Sequence, residues 1–383
     1  MKLRYNERIY PTVEQQVMLA RTFGCARTVY NDGLRMRNEA YKRGEPFITD
    51  AQLQKLVITA GKKTEDREWL KEVSSVALVQ SLGDLHAAYR NFFASRRGMR
   101  KGPKMQPPRM KKKSGRQTAR FTRNGFVLRG DGRLFIAKVG DIKVRWSRSL
   151  PSEPSSVTVI KDPAGRYFAS FVVEVGDTPL DPLHPEETDT GIDLGLSSYA
   201  VLRGRRIASP KFFRRQEKKL KRGQRKLSRA QTGSSNRRKA KLAVAKVHAR
   251  IADQRRDFIE QETTRIVRES QAVYLEDLNV RGMSTRRGKL GKSVHDQSFG
   301  TFARALEAKC ARYGRSFVKV SRWFPSTQLC SECGALVGPK GRDQLHIREW
   351  VCDCGARHDR DANAEANLRA EGRTLLAAGH AES

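Results

Sequence analysis

The first ten residues, MKLRYNERIY, alternate apolar and polar side chains and stop at Pro11, the pattern of a strand. From residue 12 to about 95 the spacing turns helical and glycines become few. Val76, Leu78, Val79, Leu82 and Leu85 form one apolar face, which continues to Tyr89, Phe92 and Phe93. A Lys/Arg/Gly/Pro stretch, RRGMRKGPKMQPPRMKKK, then predicts a linker or a loop facing nucleic acid. Strands take over from about residue 117 to 175. They include a hairpin in SVTVIKDPAGRYFASFVVEV, with its turn at Asp162-Pro163-Ala164-Gly165. The proline-rich DTPLDPLHPEETDT reads as a domain linker. Beyond it TGIDLGLSSYAVLRG predicts strand, turn and strand, followed by a long basic helical segment over 211–269. Ala272-Val273-Tyr274-Leu275 is the apolar run of a buried central strand. A helix over 299–313, a strand in SFVKVSRW and a helix opening near Asp361 complete the pattern, with no internal repeat.

Charge narrows the partners. The 383 residues carry 76 Lys+Arg against 41 Asp+Glu, a net charge of +35 and a pI near 10.5. A field of that size attracts polyanions, nucleic acid foremost. The segment 211–250 holds a single acid, Glu217. Leu220, Leu227, Leu242, Val244, Val247 and Ile251 supply its packing stripe, and its remaining faces suit phosphate. The length predicts two or three domains. No apolar run reaches ~18 residues, which argues against a membrane span. The N-terminus lacks the apolar core of a secretory signal. Six cysteines, four of them clustered, point to a reducing cytoplasm and a metal site rather than to disulfides.

Against this basic background three acids stand in separate contexts: Asp193 in TGIDLGL, Glu276 in VYLEDLN and Asp361 in HDRDANAEANL. Taken singly, each has a bland reading as a turn cap, a surface residue at a strand end or a helix N-cap. Two strand ends and a helix start can nonetheless bring three carboxylates to one point. Clustered carboxylates repel unless a cation neutralises them, and hard oxygen ligands favour Mg²⁺ or Mn²⁺. Such a cluster is the apparatus of two-metal phosphodiester cleavage. With strands and helices interleaved around it, an α/β nuclease of the RNase H kind is expected. A nucleic-acid-binding scaffold without chemistry has little need of it. The cysteines form a second cluster. Cys330-Ser-Glu-Cys333 precedes Cys352-Asp-Cys354 by 18 residues, with Gly334 and Gly355 after the pairs. Two such knuckles suit a tetrahedral, structural Zn²⁺. Cys25 and Cys310 read as core residues. His346 and His358 lie near the cluster, and neither is needed as a ligand.

GIDLGL, NRRKAKLAVAKVHARIADQRRDF, YLEDLNV, FPSTQLCSECG and CGARHDRDANAEANL resemble the TnpB proteins of insertion-sequence transposons, relatives of the type V CRISPR effectors. SSVALVQSLGDLHAAYRNFF and GPKMQPPRMKKK extend the resemblance over essentially the whole chain. It implies a wedge β-barrel from 1–11 and 112–183, interrupted by a helical recognition domain with basic linker over 12–111. It also implies a RuvC-like nuclease domain from 184–323 and 356–372, interrupted by a zinc-binding insertion over 324–355, and a tail over 373–383. The implied activity is RNA-guided, divalent-metal-dependent cutting of double-stranded DNA beside a short flanking motif. The guide RNA would come from the transposon end, in a bacterial cytoplasm at the nucleoid. The carboxylates carry over to Asp193, Glu276 and Asp361 as catalytic, magnesium-holding residues; Asp359 and Asp277 are passed over. Zinc ligands carry over to Cys330, Cys333, Cys352 and Cys354. Gln80, Lys104, Lys111 and Lys112, with Arg237, Arg238 and Lys239 on the basic segment, are expected to contact nucleic acid. A nuclease-inactive RNA-guided repressor is the alternative, which the intact acidic triad argues against. A strand-exchange transposase would need a His-hydrophobic-His motif, and none is present.

Overall fold

In a computed structural model, described for all residues except 101, 177–178, 286–289, 341–343, 345 and 380–383, the chain forms two compact units, Met1–Gly176 and Asp177–Ser383.

The first unit opens with β1 (Lys2–Tyr10), α1 (Val13–Lys42), the single turn α2 (Asp50–Leu53) and α3 (Ser75–Arg96). Pro11 ends the strand, and Thr12 starts the helix. The Thr12 hydroxyl accepts from Gln15 N at 3.3 Å while Gln15 Oε1 accepts from Thr12 N at 3.0 Å, a reciprocal cap. The strands β2 (Gln117–Thr122), β3 (Phe126–Leu128), β4 (Leu134–Ile136), β5 (Gly140–Arg145), β6 (Ser156–Lys161) and β7 (Tyr167–Glu174) follow. They join β1 in an antiparallel sheet of order β2-β6-β7-β1-β5-β4-β3. β6 and β7 are the hairpin expected from the sequence. Gly165 N donates to Asp162 O at 3.0 Å across its turn, and Gly165 takes the positive φ of +78° that the turn requires. β1 pairs with β7 from Lys2↔Glu174 to Ile9↔Tyr167, so the chain start is locked into the middle of the sheet. Leu19 and Phe23 of α1 and Ala77 of α3 pack with Phe121, Val157 and Phe171 of the strands. Among the described residues no pairing joins β2 to β3. The wedge β-barrel that the resemblance implies is thus seen as a half-barrel sheet with β2 and β3 at its ends. Leu78, Leu82 and Leu85 of the predicted apolar face are buried against Val29 and Leu34 of α1. Phe93, at the end of that face, is exposed and stacks on Tyr89.

The second unit runs α4 (Pro185–Thr188), β8 (Thr190–Leu194), β9 (Ser198–Leu202), β10 (Arg205–Ala208), α5 (Phe212–Arg229), α6 (Ser235–Glu269), β11 (Ala272–Glu276), α7 (Val280–Thr285), α8 (Leu290–Gln297), α9 (Phe299–Tyr313), β12 (Ser316–Val320), β13 (Glu349–Val351), β14 (Arg357–Asp359) and α10 (Arg360–Ala377). Its main sheet has the order β10-β9-β8-β11-β12. β9 runs antiparallel to both β10 and β8, whereas β8, β11 and β12 are parallel. One face buries Ile192, Val273 and Leu275 against Ile259, Phe302 and Leu306. The other buries Tyr274, Val318 and Val320 against Leu368 of α10. The basic helical segment expected over 211–269 is built as two helices, α5 and α6, forming a hairpin. Gly233 turns the chain at φ +85°, and Ser234 caps α6 by accepting from Arg237 N at 3.1 Å. Leu220, Val247 and Ile251 form the seam.

Candidate active site

β8 and β11 lie side by side in parallel, with Leu275 paired to Ile192. One step further along that register, Glu276 stands level with Asp193. Strand side chains alternate between faces. Leu275 and Ile192 point into the core of α6 and α9, so Glu276 and Asp193 project on the opposite face, toward α10. Asp361 sits in the first turn of α10, and Asp359 is that helix's N-cap, its Oδ1 accepting from Ala362 N at 2.8 Å.

Two glycines allow α10 to lie this close to the sheet. A Cβ on Gly191 would stand 2.3 Å from the carbonyl oxygen of Glu365, and one on Gly372 would stand 2.2 Å from the Tyr274 ring. Gly191 N also donates to Glu365 Oε1 at 2.9 Å, tying β8 to the helix one turn beyond Asp361.

Asp193 feels the other two acids. Burial pushes the Asp193 carboxyl up to about 7, and the charges of Asp361 and Glu276 add to the rise. Burial likewise pushes Glu276 up to about 7, with Asp277 contributing. A cation placed between them would favour the ionised form of both. Asp361 is held differently. It accepts from Arg206 Nη1 at 3.3 Å and from Arg348 Nη1 at 3.1 Å. Arg206 also grips both oxygens of Asp359, at 2.9 and 3.1 Å. Asp277 turns away and pairs with Arg322. Sequence reasoning missed Arg206, Arg348 and Glu365. β10, which carries Arg206, was not anticipated, and single arginines carry no signal in a chain with 76 basic residues.

The four clustered cysteines bring their sulfurs within 4.8 Å of one another. Cys330 and Cys354 sulfurs are 3.8 Å apart, and those of Cys333 and Cys352 are 3.6 Å apart. A tetrahedron with ~2.3 Å Zn–S bonds has edges of ~3.8 Å, so the donor set fits zinc. Each knuckle closes on itself: Gly334 N donates to Cys330 O and Gly355 N to Cys352 O. His358 Nε2 lies 3.1 Å from Cys330 Sγ, beside the ligand set rather than within it. The knuckles also grip α10. Ser331 N donates to Asn363 Oδ1 at 2.9 Å, while the Asn363 and Asn367 amides each donate to Leu329 O at 2.7 Å. The cysteine cluster thus fastens the same helix turn that carries Asp361.

The expected nucleic-acid contacts are dispersed. In the first unit Gln80 is half-buried on α3, and Lys104 and Lys112 are exposed. Lys111 sits with its ammonium 4.0 Å from the Tyr30 ring, its pKa lowered by burial. Lys111 and Lys112 line a ~300 Å³ pocket with Arg27 and Arg116. In the second unit Arg238 and Lys239 are exposed. Arg237 donates from Nη1 to Leu227 O and Ala230 O, both at 2.9 Å, closing the end of α5. A larger cleft of ~900 Å³ is lined by Lys218, Lys221, Arg222, Arg225, Lys226 and Arg229 of α5.

Residues 170–287 match a family profile described as "Probable transposase", 1–46 a helix-turn-helix domain profile, and 299–368 a "Cas12f1-like, TNB domain" profile. A Streptomyces pristinaespiralis protein named "Putative RNA-guided DNA endonuclease" is 43% identical over 99% of this chain and 91% of its own length. The chain belongs to the TnpB family. A second TnpB-like relative, "Putative RNA-guided DNA endonuclease InsQ" of Escherichia coli K12, is 29% identical over 96% of this chain and 92% of its own. The fold of this TnpB-family chain is also that of a Cas12f1 chain solved by cryo-EM in a complex with sgRNA and target DNA. The TM-score is 0.56 at 13% identity, covering 96% of this chain and 98% of the other. Among the described residues no helix is long and apolar enough to cross a membrane.

Proposed function

We propose that this chain is an RNA-guided DNA endonuclease whose catalytic carboxylates are Asp193, Glu276 and Asp361. The observation that carries the reading is the convergence of the three acids from β8, β11 and the first turn of α10, with Asp193 and Glu276 raised to about 7. Relatives named as RNA-guided DNA endonucleases and the Cas12f1-like fold support it. In this reading the carboxylates would hold Mg²⁺ or Mn²⁺. Bound there, such ions activate water and stabilise the leaving oxygen of a phosphodiester. Asp193 and Glu276 lose their protons to make the site, and the Gly191 and Gly372 contacts hold Asp361 in reach of them. Arg206 and Arg348 stand beside Asp361 as counter-charges. Specificity comes from pairing between a transposon-derived guide RNA and the target strand, while the protein reads a short flanking motif. The RuvC-like domain would comprise 184–323 and 356–372, with a structural zinc in 324–355. The sheet of 1–11 and 112–183 would form a wedge around the helical 12–111.

The test is magnesium-dependent cutting of a plasmid bearing a guide-matched site, beside a gel shift with the same guide. Asp361→Ala should abolish cutting and leave guide-dependent binding nearly intact, because a metal-holding carboxylate acts on the transition state. Wild-type protein that binds the site tightly and never cuts with magnesium or manganese would overturn the reading in favour of a repressor.

A further inference from the structure

Trp323 is 86% exposed, and among the described residues no large apolar side chain is more so. Its turn is well defined. Phe324 N donates to Ser321 O at 3.0 Å, Trp323 N to Ser321 Oγ at 3.3 Å and Ser326 N to Phe324 O at 2.9 Å. Phe324 packs inward against Val318, Val320 and Leu368, which anchors the turn and leaves the neighbouring indole in water. The turn follows β12 directly. Val320 pairs with Glu276, and Asp277 N donates to Val320 O at 2.9 Å. Three residues of chain reach at most ~10 Å, and neighbouring strands lie ~5 Å apart. Trp323 therefore stands at the strand ends that carry the acids. Arg322, paired with Asp277, lies beside it.

We propose that Trp323 stacks on an unpaired base of single-stranded DNA and so sets the position of that strand relative to Asp193 and Glu276. The proposal rests on the nuclease reading above. Every base has a π-face, so an indole platform holds a strand without choosing its sequence. That suits a site whose sequence choice is made by guide pairing. The neighbouring Arg322 and the net charge of +35 favour a polyanion over a protein surface as the occupant.

The test uses full-length protein in magnesium-free buffer with a thymidine hexanucleotide, read by tryptophan fluorescence. Wild-type emission should be quenched saturably. Trp323→Phe should lose that quench but keep affinity within ~3-fold, since a phenyl ring still stacks, whereas Trp323→Ala should weaken binding ~5- to 140-fold. Zinc content and melting temperature of both variants report whether the fold is intact. An unchanged quench in Trp323→Phe, or wild-type affinity in Trp323→Ala, overturns the proposal. So does loss of self-association in Trp323→Ala with DNA binding unchanged, which would assign the indole to a protein contact. No cleavage is needed for this readout. A protein that shows the quench yet never cuts a matched plasmid would sink the nuclease reading and leave the stacking standing.

Discussion

Replacing Asp193 by asparagine removes a charge that the fold pays for, so the metal-free protein should become more stable above neutral pH. The carboxyl rises from 3.8 to about 7 on folding, first through burial and then through Asp361 and Glu276. A shift of ~3 units at ~1.4 kcal/mol each disfavours the ionised folded state by ~4 kcal/mol. The sign follows from the protons. Below about pH 4 both folded and unfolded chains keep the proton, and nothing is lost. Between about 4 and 7 the unfolded chain releases it while the folded chain retains it, so stability falls as pH rises. Above 7 the penalty is complete. Asparagine has nearly the same shape and does not titrate. For a unit of this size each kcal/mol moves the melting temperature by ~2–4 °C, so Asp193→Asn should gain on the order of 10 °C at pH 8 without divalent metal. The assay is thermal unfolding of wild type and variant at pH 8 and pH 4.5, with and without magnesium. The gain should nearly vanish at pH 4.5. Magnesium should raise the wild type more than the variant, because ions bound at the carboxylates offset the repulsion. A variant that melts at or below wild type at pH 8 without metal would refute the reasoning, as would a gain independent of pH.

Cys330→Ser should release close to one zinc per chain and lower the melting temperature of the second unit, measured by elemental analysis and calorimetry. Wild-type protein purified without any zinc would contradict the assignment. Neutralising Lys218, Arg222 and Arg225 together should reduce the slope of log affinity against log salt for duplex DNA by up to ~2.7, at ~0.9 per phosphate contact. Arg237→Gln should leave that slope nearly unchanged and lower helix stability instead, since its guanidinium closes α5.

Local chemistry was legible without coordinates. The alternation of MKLRYNERIY before Pro11, the Asp-Pro-Ala-Gly turn between β6 and β7 and the Ala272–Leu275 run each carry their structure within a few residues. The paired cysteines likewise announced a metal site, because knuckle spacing is a property of neighbouring residues. Other features depend on what lies across space. The Thr-Gly-Ser-Ser-Asn run at 232–236 marks a break in the basic helical segment, but only the packing of α5 on α6 shows that the chain doubles back there. β10 is four residues long and took its identity from pairing with β9, so Arg206 and its grip on Asp359 and Asp361 had no local signature. The same holds for Arg237, whose Nη1 donates to two carbonyls at the end of α5. Trp323 and Phe324 are adjacent and both aromatic, yet one is exposed and the other packed inward, a difference decided by the face of the turn each occupies. Asp193, Glu276 and Asp361 could be named as candidates from the chain alone. What the sequence could not supply is their shared environment: the parallel register of β8 and β11, and the Gly191 and Gly372 contacts that let α10 approach. The burial that raises Asp193 and Glu276, and the charges of Asp361 and Glu276 that add to the rise at Asp193, arise only when segments distant along the chain are folded against one another.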